Sequence, residues 1–221
     1  LLVNGNEESL WRARASIVSL REQVYVDWRL IIVPGNAGVR LEALRAELLD
    51  GLDGVEALRA RLLASPVSEA SLSDHLLDGF EDIADRIEVC TRADSRTLGA
   101  SAACQDIRGQ PVLFTIIGAG DELSCDALFE IAIATGMHRD ADFFYSDELR
   151  ISPASNVVEP FLKPQWSPDL LLSTNYIGRL WCVRTETLER TGATLADLIR
   201  LGEYNLVLRC TEQAQAITHV P

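Results

Sequence analysis

Short uncharged runs alternate along this chain with longer stretches whose apolar residues recur every three or four positions. Residues 112–117 carry no charge and are typical of a strand in the core of a sheet. Similar runs lie at 30–33, 143–145 and 180–183, and residues 87–90, which include Glu88, also predict a short strand. Helices are predicted for residues 7–23, 40–64, 95–107 and 126–135. This alternation predicts an α/β fold, a three-layer α/β/α sandwich around a mostly parallel sheet.

The composition fits a single domain spanning residues 1–221. Hydrophobic residues make up 48% of the chain and charged residues 24%, which suits a protein with a sizeable core. The formal net charge of −13 argues against nucleic-acid binding, which needs a cationic face. A membrane-spanning helix needs about 18 or more apolar residues in a row, and the sequence has no such run. The chain begins with Leu, so we expect partners among other domains of a longer chain.

The five cysteines are widely scattered and contain no C-x-x-C pair. They are Cys90, Cys104, Cys125, Cys182 and Cys210. Their odd number and spacing favour buried, reduced thiols over disulfides or a structural zinc site. Reduced thiols are typical of cytoplasmic proteins, and we expect that location.

Carboxylates and aromatic residues are concentrated in residues 147–184. Asp147 and Glu148 come directly after the predicted strand 143–145, and ligands of α/β proteins bind at the carboxyl ends of strands. The following segment is interrupted by Pro160, Pro164 and Pro168. Three prolines favour a rigid surface excursion over a helix.

Three motifs of this stretch resemble the family 2 glycosyltransferases of bacterial polysaccharide assembly, in the branch that adds rhamnose-like sugars. The motifs are Tyr145-Ser146-Asp147-Glu148, residues 160–171 (PFLKPQWSPDLL) and Asn175-Tyr176-Ile177-Gly178. The resemblance implies a GT-A nucleotide-sugar-binding architecture, a nucleotide-sugar donor, a glycan acceptor and a divalent metal ion, Mg²⁺ or Mn²⁺. Asp147 and Glu148 are candidate contacts of the donor sugar or nucleotide, and the alternative is a turn that caps the strand end. Trp166, Asn175 and Tyr176 are candidate acceptor contacts, and the alternative for Trp166 and Tyr176 is a role as packing anchors.

The family's metal-binding motif is Asp-x-Asp, placed directly after the fourth core strand and followed by Asp-Glu-Leu. Asp121 begins the matching Asp-Glu-Leu, but Gly118 and Gly120 occupy the two acidic positions. Because glycine has no ligand atom, no metal site is predicted here; the single carboxylate of Asp121 is a weak ligand set for Mg²⁺. Two interpretations stay open. The loop binds a phosphate of the donor through backbone N–H groups, or the site has decayed.

The family's catalytic base is an acid shortly before a Leu-rich helix. Glu203 holds that position in the segment 202–209 (GEYNLVLR), so the resemblance implies that it deprotonates the acceptor hydroxyl. The alternative is a solvated surface glutamate. Asp140 and Asp142 also have Asp-x-Asp spacing, but they precede a predicted strand and are interpreted as a solvated loop.

Residues from about 40 to 85 are longer than the connection usual in the family and predict an inserted helical segment. We interpret it either as a helical cover packed on the sheet or as a partner-binding surface. Two functional hypotheses follow for the whole chain. The first is an inverting sugar transferase of polysaccharide or O-antigen synthesis. The second is a catalytically inactive glycosyltransferase-like module that binds a partner or a glycan, which the glycines at the metal motif favour.

Overall fold

A computed structural model describes residues 2–4, 7–35, 77–89, 98, 112–151 and 157–221. The chain divides into two compact units, Leu1–Arg92 with Gly118–Cys125 and Ala93–Ile117 with Asp126–Pro221. Most of the predicted inserted segment, and the predicted helix 95–107 apart from Leu98, lie outside the described residues. The single domain over 1–221 and the insertion at about 40–85 therefore stay predictions. No helix of the described ranges has the length and apolar character needed to cross a bilayer.

The first unit contains a three-stranded parallel sheet in the order β1-β2-β3. The strands are β1 (Leu2–Asn4), β2 (Leu30–Gly35) and β3 (Ile87–Val89). Helix α1 (Glu7–Arg21) connects β1 to β2, and a 3₁₀ helix, Glu81–Arg86, precedes β3. Strand β1 was not predicted from periodicity, because three residues are too short to show alternation.

Helix α1 confirms the predicted helix 7–23 and buries one apolar face. Ala13, Ile17 and Leu20 on that face are almost inaccessible to solvent. The adjoining Ser16 and Ser19 are buried as well, and both contact residues 118–123. Ser16 accepts a hydrogen bond from the Gly120 N–H at 3.0 Å, and Ser19 accepts one from the Leu123 N–H at 3.1 Å. These bonds satisfy polar groups that burial would otherwise leave unpaired.

The second unit is built on a four-stranded sheet in the order β4-β8-β5-β9. Its strands are β4 (Leu113–Phe114), β5 (Phe143–Ser146), β8 (Trp181–Arg184) and β9 (Ile217–Val220). β5 is parallel to β9 and antiparallel to β8. A separate antiparallel pair is formed by β6 (Glu148–Ile151) and β7 (Val158–Phe161).

Five helices complete the described part of this unit. They are α2 (Ala127–Met137), α3 (Pro168–Ser173), α4 (Thr185–Thr191), α5 (Leu195–Leu201) and α6 (Glu203–Gln213). Phe143 of β5 stacks on Trp181 of β8 with ring centroids 5.5 Å apart, and both side chains are fully buried. The uncharged run of β5 thus lies in the core, as the sequence predicts.

The mixed α/β class is confirmed, with sheets that are partly parallel; the complete three-layer GT-A sandwich stays a prediction. The strand predicted at 112–117 is shorter than expected, because only Leu113 and Phe114 pair with β8. Ile116 and Ile117 are nevertheless buried. The helix predicted at 126–135 extends to Met137, so Gly136 lies inside α2.

The proline-rich segment also differs from its prediction, since it contains the helix α3. Pro168 occupies the first turn, where a missing N–H costs nothing. Ser167 caps the helix by accepting from the Leu170 N–H. Among the described cysteines, Cys182 and Cys210 are buried free thiols as expected, whereas Cys125 is exposed.

Helix α5 begins with a capping box that offers a test of local stability. Thr194 accepts a hydrogen bond from the Asp197 N–H at 3.1 Å, and the Asp197 carboxylate accepts from the Thr194 N–H at 3.2 Å. We expect Thr194→Ala to lower the free energy of unfolding by about 1 kcal/mol, because a helix N–H loses its acceptor. Thr194→Ser keeps a hydroxyl and should retain most of that stability. Urea denaturation measures both variants, and equal stability of Thr194→Ala and wild type would contradict the prediction.

Candidate active site

Asp147 connects three segments of the second unit at the end of β5. Its Oδ1 atom accepts a hydrogen bond from the Lys163 N–H at 2.8 Å and lies 2.8 Å from Nε2 of His219 in β9. Partial burial raises the pKa of Asp147, but the Lys163 N–H and His219 lower it by more, so it lies below its ordinary value of 3.8. A carboxylate only accepts hydrogen bonds, so the proton of this pair is on Nε2 of His219.

Glu148 begins β6 and is surrounded by positive and donor groups. Its Oε2 atom accepts from the Arg179 N–H at 2.5 Å and lies 3.1 Å from the Lys163 ammonium nitrogen, Nζ. Its Oε1 atom accepts from Nε of Arg150 at 2.6 Å. Burial raises the pKa of Glu148, but the Arg179 N–H, Arg150 and Lys163 together hold it below its ordinary value of 4.5. Glu148 is therefore ionised at neutral pH.

Gly178 allows this close approach of the Glu148 carboxylate to the backbone. Its φ angle is 51°, in the left-handed region that side chains disfavour. A Cβ atom at this position would lie 2.6 Å from Oε2 of Glu148, well inside van der Waals contact. The glycine of the Asn175-Tyr176-Ile177-Gly178 motif is thus needed for both its conformation and its lack of a side chain.

Glu203 is the first residue of α6, where the helix dipole favours negative charge. Its Oε1 atom accepts a hydrogen bond from the indole Nε1 of Trp181 at 2.6 Å. The same oxygen is paired with the Arg179 guanidinium. Because both contacts fall on one oxygen, the carboxylate is held in a defined orientation at the N-terminus of the helix.

Aromatic stacking places His219 and supports the segment that contains Trp166. Tyr145 stacks on His219 with ring centroids 4.9 Å apart, and it contacts Tyr176 edge-on at 5.9 Å. The Tyr145 hydroxyl donates to the Pro164 carbonyl at 2.7 Å, and Tyr176 accepts from the Ser167 N–H at 3.0 Å. Burial raises the pKa of Tyr145, so this hydroxyl remains a donor.

The structure brings together some of the residues predicted from sequence. Both glutamates contact Arg179. Glu148 accepts from its backbone N–H, and Glu203 pairs with its guanidinium. Asn175 accepts from the Gly178 N–H at 3.4 Å, and Trp166 is half-buried. Tyr176 is only 3% exposed, so its surface is mostly used in packing.

Sequence reasoning missed the partners of these acids, namely Lys163, Arg179, Arg150 and His219. Lys163 lies inside the matched segment 160–171, which was the available signal. His219 lacks metal-ligand spacing in the sequence, and that criterion does not detect an Asp–His pair formed between the end of one strand and another strand. Asp142 pairs with Arg190 at 3.3 Å and accepts from the Gln215 N–H at 2.9 Å, while Asp140 is exposed.

The chain is similar to a bacterial polysaccharide-synthesis protein over most of its length. It is 34% identical over 213 residues, 94% of this chain, to the O-antigen biosynthesis protein RfbC of Myxococcus xanthus, and it spans 14% of that protein. It is also 28% identical over 116 residues, 52% of this chain and 12% of the relative, to the uncharacterized protein y4gI of Sinorhizobium fredii. No protein-family model matches the chain.

A solved structure of residues 1–349 of Staphylococcus aureus TarS is similar over 99% of this chain and 56% of that one, with a TM-score of 0.50 and 11% identity. At this identity the likeness concerns the fold alone.

The metal ion that many glycosyltransferases use does not fit the residues at 118–121. Gly118 and Gly120 offer no side-chain ligand, and the Asp121 carboxylate accepts from the Gly118 N–H at 2.7 Å. Gly120 has a φ angle of 100°, and a Cβ there would lie 3.3 Å from Cβ of Arg12. Across the described part of the chain, no group of three or more His, Cys, Asp or Glu residues is arranged to hold a metal ion.

The backbone groups of this loop are engaged within the protein. The Gly118 N–H donates to Asp121 and the Gly120 N–H donates to Ser16. Direct phosphate binding by these two groups, one of the two interpretations of the glycines, would require them to exchange those acceptors. It stays a proposal, as does donor contact by Asp121.

The contact between Gly178 and Glu148 can be tested against a second glycine of similar conformation. Gly192 has a φ angle of 61° and no atom within 4 Å of its Cβ position. We expect Gly192→Ala to cost about 1–2 kcal/mol of unfolding free energy, since it adds only left-handed strain. Gly178→Ala should cost clearly more because it also displaces the Glu148 carboxylate. Equal losses in urea denaturation would show that Glu148 does not occupy the space beside Gly178.

The lowered pKa values of Asp147 and Glu148 predict how stability depends on pH. Both carboxyl groups bind protons less tightly in the folded chain, so their contribution is present above the unfolded pKa and is lost as pH falls. We expect the free energy of unfolding to decrease as pH drops below 4.5, the ordinary pKa of glutamate.

Glu148→Gln should decrease less steeply over that range than wild type, although it is less stable at pH 7. The exposed residue Glu186 provides the control Glu186→Gln, which should follow the wild-type curve. Urea denaturation at several pH values gives the slopes. A Glu148→Gln slope equal to that of wild type would contradict the assignment.

Proposed function

We propose that the chain transfers a sugar from a nucleotide-sugar donor to a glycan acceptor in cell-surface polysaccharide synthesis. The similarity to RfbC over 94% of the chain supports a role in that pathway. The fold similarity to TarS supports a glycosyltransferase scaffold. Since the chain spans 14% of RfbC, the activity of a longer protein is also a proposal.

The observation that carries this proposal is the fixed carboxylate of Glu203. Trp181 and Arg179 both contact its Oε1 atom, which fixes the orientation of the carboxylate. A carboxylate in a fixed orientation is what general-base catalysis requires, because the proton must be taken within hydrogen-bond reach. The side chain is 15% exposed, so it is accessible without being a freely solvated surface acid.

The reaction proceeds by direct displacement at the anomeric carbon. Glu203 takes the proton of the acceptor hydroxyl as that oxygen forms its bond to the anomeric carbon. The bond between this carbon and the donor phosphate oxygen breaks, and the nucleoside diphosphate leaves with the electron pair. Attack from the face opposite the leaving group inverts the anomeric configuration.

The remaining predicted residues have supporting roles in this proposal. In the second unit, Asp147 and Glu148 would contact the donor, and Trp166 would stack on the acceptor sugar. Asn175 and the buried Tyr176 would shape the acceptor surface.

A second candidate is a non-catalytic glycosyltransferase-like module that binds a partner chain or a glycan. It is favoured by Gly118 and Gly120 at the positions of the metal motif and by the bond between the Asp121 carboxylate and the Gly118 N–H. Calorimetry with UDP-, dTDP- and GDP-sugars, with and without Mn²⁺, distinguishes the two. Donor binding followed by transfer supports the first, and the absence of both supports the module.

Glu203→Gln tests the catalytic assignment. With an acceptor preparation and the donor that binds, we expect kcat to fall by about 10²–10⁴-fold, the usual contribution of a general base. Donor affinity should change little. Glu212 is exposed on the same helix, so Glu212→Gln is a matched control that should retain wild-type kcat. Undiminished transfer by Glu203→Gln would exclude Glu203 as the base.

A further inference from the structure

Lys163 is the only lysine of the chain, whose other 19 basic residues are arginines. Its side chain is 0% exposed. Lysine is almost never fully buried unless it is paired, because removing an ammonium from water is expensive. Burial lowers the pKa of Lys163, while Glu148 and Asp147 oppose that change. The desolvation cost of the buried Lys163 ammonium is not explained by packing alone.

The Lys163 ammonium and the Glu148 carboxylate hold the backbone of Arg179 from both sides. The ammonium donates to the Arg179 carbonyl and lies 3.1 Å from Oε2 of Glu148. The same Oε2 accepts from the Arg179 N–H at 2.5 Å. Both polar groups of one residue's backbone are thus fixed by one ion pair.

Arg179, whose backbone this ion pair fixes, also contacts the proposed base Glu203 with its side chain. The Arg179 guanidinium is paired with Oε1 of Glu203, the oxygen that also accepts from Trp181. A displacement of the Arg179 backbone would therefore change the orientation of the Glu203 carboxylate. Misplacement of a reacting group by about 1 Å can lower a rate by about 100-fold.

We propose that Lys163 is a positioning residue that, together with Glu148, fixes the backbone of Arg179 so that its guanidinium orients the Glu203 carboxylate. This inference rests on the proposed function, since it deepens the role given there to Glu203. It assigns a task to the one residue of the matched segment 160–171 whose charge is buried.

The geometry requires a lysine at this position. An ammonium is a compact charge on a flexible stem, whereas a guanidinium is a planar fork that needs more room. The surroundings are tight, because even a Cβ at Gly178 would lie 2.6 Å from the Glu148 carboxylate. We therefore expect Lys163→Arg to behave like a loss of Lys163, although it keeps the charge.

Arg150 offers a matched control within the same cluster. It pairs with the other carboxylate oxygen of Glu148, Oε1, at 2.6 Å and is 50% exposed. Its guanidinium lies over the Phe161 ring, 3.5 Å from the centroid. Removal of the Arg150 charge should therefore leave both backbone contacts of Arg179 in place.

The indole N–H of Trp181 reports on Glu203 without any substrate. The chain has four tryptophans, so Trp181→Phe and Trp28→Phe identify the two indole signals that the test needs in a ¹H–¹⁵N spectrum. We expect Lys163→Met and Lys163→Arg to move the Trp181 signal and to leave that of Trp28 in place. Arg150→Met should leave both signals in place. In transfer assays, Lys163→Met should lower kcat at least tenfold.

Two results would overturn the proposal. One is a folded Lys163→Met protein whose Trp181 signal does not move, and the other is wild-type kcat in Lys163→Arg. If Lys163→Met does not fold, Glu148→Gln provides the second test. It removes the charge of the other member of the ion pair, keeps the shape of the side chain and should move the same Trp181 signal. An unmoved Trp181 signal in Glu148→Gln would equally contradict the proposal that the ion pair fixes the Arg179 backbone.

The proposed function fails separately. Undiminished transfer by Glu203→Gln removes the base but leaves the Trp181 signal as a measure of the coupling between Lys163 and Glu203. If Lys163→Met moves the Trp181 signal and Glu203→Gln is fully active, the positioning role of Lys163 is confirmed and Glu203 is excluded as the base. If Lys163→Met leaves the Trp181 signal in place and Glu203→Gln is inactive, Glu203 is supported as the base and the positioning role of Lys163 is excluded.

Discussion

The buried ion pair between Lys163 and Glu148 is the interaction on which the described site depends. It joins the start of β6, the segment that follows β7 and the loop that leads into β8. Removing one member of such a pair typically costs about 3–5 kcal/mol, because the other charge is left buried and unpaired. Replacing both by apolar residues is often neutral for stability, so the pair is better explained by the geometry that it imposes on Arg179 than by its stabilisation.

The acids that the sequence singled out are each paired with a base or a donor. Asp147 is bonded to His219 and the Lys163 N–H, Glu148 to Lys163 and Arg150, and Glu203 to Arg179 and Trp181. Such pairing favours the ionised form of a carboxylate. The site therefore presents fixed negative charge from ordered side chains, and its positive charge comes from protein side chains.

Sequence periodicity predicted the interior of the fold more successfully than its edges. The run 143–145 has no charge and lies in the buried strand β5. The run 112–117 is equally apolar, but only two of its residues pair with β8. The boundary depends on where the partner strand ends, which is a property of distant residues.

The site shows the same division between local and distant information. Asp147, Glu148 and Glu203 were predicted because they follow strands or precede a helix within matched motifs. Their partners come from elsewhere in the chain: His219 is 72 residues from Asp147, and Arg179 is 31 residues from Glu148. No local pattern links such pairs, since a strand order such as β4-β8-β5-β9 decides which residues meet.

The contact between Gly178 and Glu148 also restricts the order in which these two positions can change during evolution. Any side chain at position 178 would enter the space that the glutamate carboxylate fills. A shorter residue at position 148 would have to appear first, and it would leave Lys163 without its counter-ion until a further substitution followed. The three positions therefore form one epistatic group, and drift at any one of them passes through a less stable intermediate.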